Sequence, residues 1–357
     1  MAANRRMLLK GLAAAALLPR RGWASVGAPS WLAAGRRPDH SHALHGIAPS
    51  GEIVFAVPLP GRGHAAAAHP HRAEAVAFAR RPGSFGIVLD CRTGAVQHRL
   101  TPPPGRQLNG HGAFSADGQI LYTSEVVAMG SAGRIGLWDA RHNYRRIGEW
   151  DSFGIGPHDL RLLPGGGLVV ANGGIETDPD DRTPLNLDHM QPNLAIIDAG
   201  GAMVSRRMLA DDLHRNSIRH LAPMSDGVAF AMQWQGDPAM PVPLLGVARG
   251  DGPLTAIIPP ETEAFAMQGY AGSIAANAGM IAITSPRGGV AMLFDADGGY
   301  LATLRRADLC GVAPAEDAPF TLTDGAGAIW AADADGLRLR ARHAVAWDNH
   351  LVAAPKA

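Results

Sequence analysis

Histidine recurs at one position of a repeating unit in this chain. It stands in Gly63-His64, Gly110-His111-Gly112, Gly156-Pro157-His158-Asp159 and Ile218-Arg219-His220-Leu221, and again in Trp347-Asp348-Asn349-His350. The first three are 47 residues apart, and the fourth follows after 62. Neutral imidazole is a good ligand for iron, copper, zinc or nickel. If His64, His111, His158, His220 and His350 converge, they make a metal site, with Asp159 or Asp348 orienting the rings from behind. Two other readings stand beside that one. The histidines could line a polar channel, bonded to water and strand carbonyls as buried polar groups must be. Or Arg62, Arg219 and Arg287 could add guanidinium forks for a carboxylate or phosphate. Asn172, Asp348 and Asn349 are the remaining candidate ligand-binding residues. No catalytic residue is assigned. An enzyme built on this cluster would use the ion with Glu125 or Asp348 moving protons, and Glu125 with Asp159 is the other conceivable acid–base pair.

Elements that could gather these residues are legible in the same repeat. Seven residues after His111, His158 and His220 comes a turn glycine: Gly118, Gly165 and Gly227. Asp117-Gly118 leads into Gln119 to Ser124, which alternates as a strand does. Gly133 to Asp139 gives another strand and Tyr144 to Trp150 a fourth. The next unit repeats the pattern through Leu168 to Asn172, Asn193 to Asp198 and Ala202 to Leu209. Roughly 50 residues holding four short strands, repeated, mark a β-propeller blade. Six units begin near His64, His111, His158, His220, Gly272 and Cys310-Gly311. The seventh is shared between the termini: Trp347 to Leu351 reads as an innermost strand, and Ser41 to Ala48 and Glu52 to Val57 read as outer strands. Joining them leaves no open sheet edge. The expected fold is thus an all-β, seven-bladed propeller over residues 36–357, with six blades as the fallback. The first strand of each blade lines the channel, which places the histidines around one axis, with Gly272 in the slot of the fifth unit. The insertion from Gly173 to Pro192 reads as a solvated loop over the channel mouth, from which Asn172, Arg182 and Asn186 would reach inward. Its carboxylates lack the spacing of a calcium loop.

Several ordered motifs together resemble one family. Arg62-Gly63-His64, Ala79 to Gly83, Gly110 to Gly112, Gly154 to His158, Ala171 to Ile175, Leu185 to Asp188, Ser217 to Leu221, Ser285 to Gly289 and Trp347 to His350 are similar to those of the DUF1513 family, over roughly residues 40–355. That resemblance implies an exported bacterial propeller-like protein, encoded near imelysin-type or haem-peroxidase-like periplasmic proteins linked to iron uptake. These are the implied partners; it supplies no reaction.

Composition and the start of the chain bound the rest. Arg5-Arg6 precede the short apolar stretch Leu12 to Leu18, the layout of a twin-arginine export signal. Cleavage is expected after Ala24, with Ala28 as a rival, and residues 25–35 as a linker. Removing residues 1–24 takes five cations and no acid from a chain of net charge zero, leaving about −5. This argues against a nucleic-acid partner, and no apolar run reaches the roughly 18 residues of a membrane span. A monomer is expected. Cys91 and Cys310 read as two buried thiols. There is no serine-hydrolase elbow, His-Glu-x-x-His motif, phosphate loop or haem-attachment motif. His40, His42, His45, His69, His71, His98 and His142 read as surface histidines.

Overall fold

A computed structural model describes residues 22–80, 84–181 and 183–356. The twin-arginine segment, Arg81 to Gly83 of one family motif, and Arg182 lie outside the described residues. The chain forms seven antiparallel four-stranded sheets. Six are continuous in sequence; they are called blades 1–6 and begin with the strands Gly63–Ala68, Arg106–Phe114, Pro157–Leu162, Asn216–Met224, Ser273–Asn277 and Leu309–Pro314. Blade 7 puts the last strand, Ala346–Ala353, innermost, followed outward by Trp31–Arg36, His42–Ile47 and Ile53–Leu59. Each first strand packs on the first strand of the next blade, and Ala346–Ala353 packs on Gly63–Ala68, closing the ring. The fold is the expected seven-bladed propeller.

The closing blade differs in one respect from the sequence reading. Its second strand, Trp31–Arg36, lies mostly in residues 25–35, expected as linker. The run Trp-Leu-Ala-Ala-Gly-Arg has weak strand propensity. It is held by pairing on both sides, Leu32 opposite Gly46 and Val352. Gly35 is needed there, because a Cβ would lie 2.3 Å from Val345 Cγ1. Just upstream, Trp23 is buried and donates its indole N–H to the His69 carbonyl at 2.8 Å.

Burial follows position within a blade. Inner strands are covered by blades on both faces and read as nearly continuous apolar runs, such as Glu74–Ala79, buried throughout. Outermost strands, such as Met203–Met208, alternate between half-buried and exposed. The core is correspondingly divided. Its seven apolar clusters each span one interface between neighbouring blades, for example Phe78 and Val88 of blade 1 against Leu121 and Trp138 of blade 2.

Candidate functional site

The strands that carry the histidines are irregular where the histidines sit. Pairing with the second strand slips between Gly63 and Ala66, Leu108 and Gly112, Pro157 and Asp159, Ile218 and His220, and, in blade 7, opposite the step from Ala33 to Gly35. Each slip puts one or two extra residues on the histidine strand, as a β-bulge does, and so re-aims its side chains. The bulges turn His64, His111, His158, His220 and His350 toward the axis. Blade 5, which has no histidine in its slot, pairs without a slip. Blade 6 keeps a bulge at Cys310-Gly311 but has no histidine there.

The five imidazoles form one cluster. Ring centroids lie 4.5 Å apart for His64 and His350, 4.6 Å for His220 and His350, 4.8 Å for His158 and His220, and 4.9 Å for His111 with each of His64, His158 and His350. His111, His220 and His350 are buried, while His64 and His158 are partly exposed. Close approach needs a glycine: Gly110 has φ +94°, and a Cβ there would stand 2.6 Å from His64 Cδ2.

Two overlapping triads could each hold an ion, His64–His111–His158 and His111–His220–His350, with ligand atoms within 4.8 Å of one another. Nε2 of His111 and His64 are 3.2 Å apart. Two nitrogens bound about 2.0–2.1 Å from one metal sit roughly 2.9–3.4 Å apart at right-angled to tetrahedral geometry, so this spacing fits shared coordination. Nδ1 of His220 and Nε2 of His350 are buried with no hydrogen-bond partner. Leaving such an atom bare costs about 1–3 kcal/mol, a cost that a metal–nitrogen bond removes.

Electrostatics favour the neutral ring at His158, His220 and His350. Burial, then the neighbouring His220 and Arg219, hold the pKa of His158 well below the usual imidazole value. Burial and His111 do the same for His220, against a smaller opposing pull from Asp159; burial and His64 act likewise on His350. Asp159 stands behind the cluster with Oδ1 3.4 Å from His111 Nδ1. Its Oδ2 accepts from the Leu221 amide at 3.0 Å and lies 3.1 Å from Arg161. Burial pushes its pKa up, but Arg161 and His111 together outweigh this and keep it ionised.

The other candidates divide. Arg219, Arg287 and Asn349 line a cavity of about 490 Å³ whose walls include His64, His158 and His220. Arg80, Asn109, Gln233 and Tyr270, which the sequence reading did not single out, line it too. Arg80 follows a fully buried strand; it falls in the family motif Ala79 to Gly83, but the repeat does not mark it as a site residue. Arg62 instead pairs with Asp348 across the seam between blades 1 and 7, at 2.6 Å. Asp348 is buried, and its pKa is raised by that burial despite Arg62. Asn172 does not reach the cavity: it is buried within blade 3, donating to Ser152 O at 2.7 Å and Asn193 Oδ1 at 3.0 Å. Asn186 fastens its own loop, donating to Gly174 O at 2.9 Å. Glu125 is also structural, accepting from Thr123 and Arg146 at 2.7 Å each inside blade 2.

Two histidines expected on the surface are buried. His45 is 2% exposed and meets Trp347 edge-on at 5.2 Å. His69 accepts the amides of His71 and Arg72 on Nδ1, at 3.0 and 3.1 Å. Both cysteines are buried and free, with thiol pKa values pushed up to about 12 by burial.

Comparison with known proteins agrees with this architecture. A family described as "Protein of unknown function (DUF1513)" matches residues 57–354. Among curated proteins none matches the sequence. Solved structures share the fold at low identity. A chain of the "Crystal Structure of Mitotic Checkpoint Complex" is 10% identical with TM-score 0.56, over 77% of this chain and 75% of that one. The "Structure of Dos1 propeller" is 11% identical with TM-score 0.51, over 80% and 85%. At such identities the likeness concerns the fold alone.

Proposed function

The chain belongs to the DUF1513 family, and from that premise we propose that it is an exported, periplasmic propeller that binds a transition-metal ion, or a ligand carrying one, at its axial histidines. The observation that carries the reading is the meeting of five imidazoles from five blades, two of them with buried ring nitrogens left bare. Imidazole-rich sites suit iron, copper and zinc. His64, His111, His158, His220 and His350 would hold the ion, and Asp159 would fix the tautomer of His111 by taking its Nδ1–H. Export through the twin-arginine route rests on Arg5-Arg6 and the apolar segment after them. A role in metal acquisition, iron first, follows from an exported binder with no assigned reaction, and the partners in that role would be imelysin-type or haem-peroxidase-like periplasmic proteins.

The test is metal analysis of the full-length protein purified after export from its own host. One equivalent of a transition metal is expected, and it is lost when His111, His158 and His220 are replaced together by alanine, with the circular dichroism of the propeller retained. A folded wild-type protein that carries no metal, and takes up neither iron, copper nor zinc on reconstitution, overturns the proposal.

A further inference from the structure

The histidines form only one wall of the 490 Å³ cavity, a volume within the range of about 300–1,000 Å³ typical of small-molecule sites. Much of the rest of the lining is cationic. Arg80 leaves the second strand of blade 1, Arg219 stands in the first strand of blade 4, and Arg287 sits in the turn between the second and third strands of blade 5. A single carboxylate, Asp308, faces them from the lining. Arg80 Nη1 is buried without a hydrogen-bond partner. Arg287 lies over the Tyr270 ring at 4.3 Å, and the Tyr270 hydroxyl accepts from Asn349 Nδ2 at 3.0 Å. The stack leaves the guanidinium's edge donors free for a ligand while fixing its plane.

Positive charge therefore exceeds negative charge in this lining. Concave, low-dielectric surfaces with excess positive charge concentrate anions, and guanidinium forks match the two oxygens of a carboxylate. Arg80 comes from blade 1, and Arg219 and Arg287 come from the adjacent blades 4 and 5, so a ligand touching all three bridges blades that are not neighbours. A short carbon frame bearing several carboxylates suits that arrangement. The histidines come from blades 1, 2, 3, 4 and 7, so the blade 5 side of the cluster is left to Tyr270 and Arg287. A ligand on that side would lie next to an ion held by the histidines.

We propose that this cavity binds a small organic polycarboxylate, gripped by Arg80, Arg219 and Arg287, with one of its oxygens completing the coordination of the histidine-held ion. The last element rests on the metal reading above; the anion cavity does not.

Calorimetric titration of citrate into the full chain, zinc-loaded and metal-free, tests it. Saturable one-to-one binding is expected. Arg80→Gln and Arg287→Gln should each weaken it at least tenfold while leaving the zinc content unchanged. Arg287→Lys, which keeps the charge but loses the fork, should also weaken it and guards against a folding artefact. Citrate binding that the arginine variants leave intact, or zinc-loaded protein that ignores citrate, overturns the proposal. Tighter binding of pyrophosphate than citrate through the same arginines overturns the carboxylate class. If neither zinc, iron nor copper binds but citrate does, with the same arginine dependence, the cavity stands and the metal reading alone fails.

Discussion

A neutral imidazole carries one donor and one acceptor. In the axial cluster the packing leaves Nδ1 of His220 and Nε2 of His350 without a hydrogen-bond partner. Asp159 matters for the same reason, since it gives His111 a fixed tautomer. Asp159→Asn should weaken metal affinity by about 10–100-fold, the usual effect of losing a ligand's orienting partner; zinc competition against a chromogenic chelator reads it. A second prediction concerns His45, whose pKa burial lowers to about 4 from 6.5. The unfolded chain takes up this proton more readily than the fold does. Stability is therefore full above about pH 6.5 and falls as pH drops toward 4, by roughly 3 kcal/mol from this group. Urea melts at pH 7.5 and 4.5 should show the loss, and His45→Gln should shrink the difference between them; an unchanged difference refutes it. The recurring histidines were legible because spacing alone marks them. His45 and His69 were misread because burial depends on which blade covers a strand, which local sequence does not state. Arg80 was not marked as a site residue for a related reason: its neighbours in the cavity come from the six other blades.

At the scale of elements, the bulge is what turns a repeated histidine into a site. Spacing showed that the histidines share a register, but a slip of one residue in pairing leaves no signature in hydrophobic alternation. The glycine before His111 is part of this device. Gly110→Ala should cost about 1–2 kcal/mol for a left-handed backbone, plus the displacement of His64. Its readouts are a lowered denaturation midpoint and a reduced metal content; a variant unchanged in both would show that the strand can relax. The strand Trp31–Arg36 was hidden by weak local propensity, and only its two partners define it. Trp23 extends the same blade. A chain starting at Ser25 gives up a buried indole and its hydrogen bond to His69, so it should be less stable by about 3–5 kcal/mol than one that retains Trp23. Thermal melts of the two forms decide it.

For the whole molecule, stability resides in seven interfaces rather than one centre. The blade count could be read from the sequence because each unit repeats its turn signals, and closure followed from the unmatched ends. Removing Ala346–Ala353 should open the ring, strip His350 from the cluster and expose the edges of Trp31–Arg36 and its neighbours. Aggregation or loss of the folded species on size exclusion is expected; a compact monomer lacking this strand would contradict it. The seam it closes joins the first blade to the last, through the Arg62–Asp348 pair and the His64–His350 contact. A ribosome makes residues 346–353 after every other strand of the ring. His64, His111 and His158 exist long before His350 does, so a growing chain has a partial set of donors and no closed cage. An ion held by the full set would therefore bind only once the closing strand is in place, and it would then resist the ring's reopening at that seam.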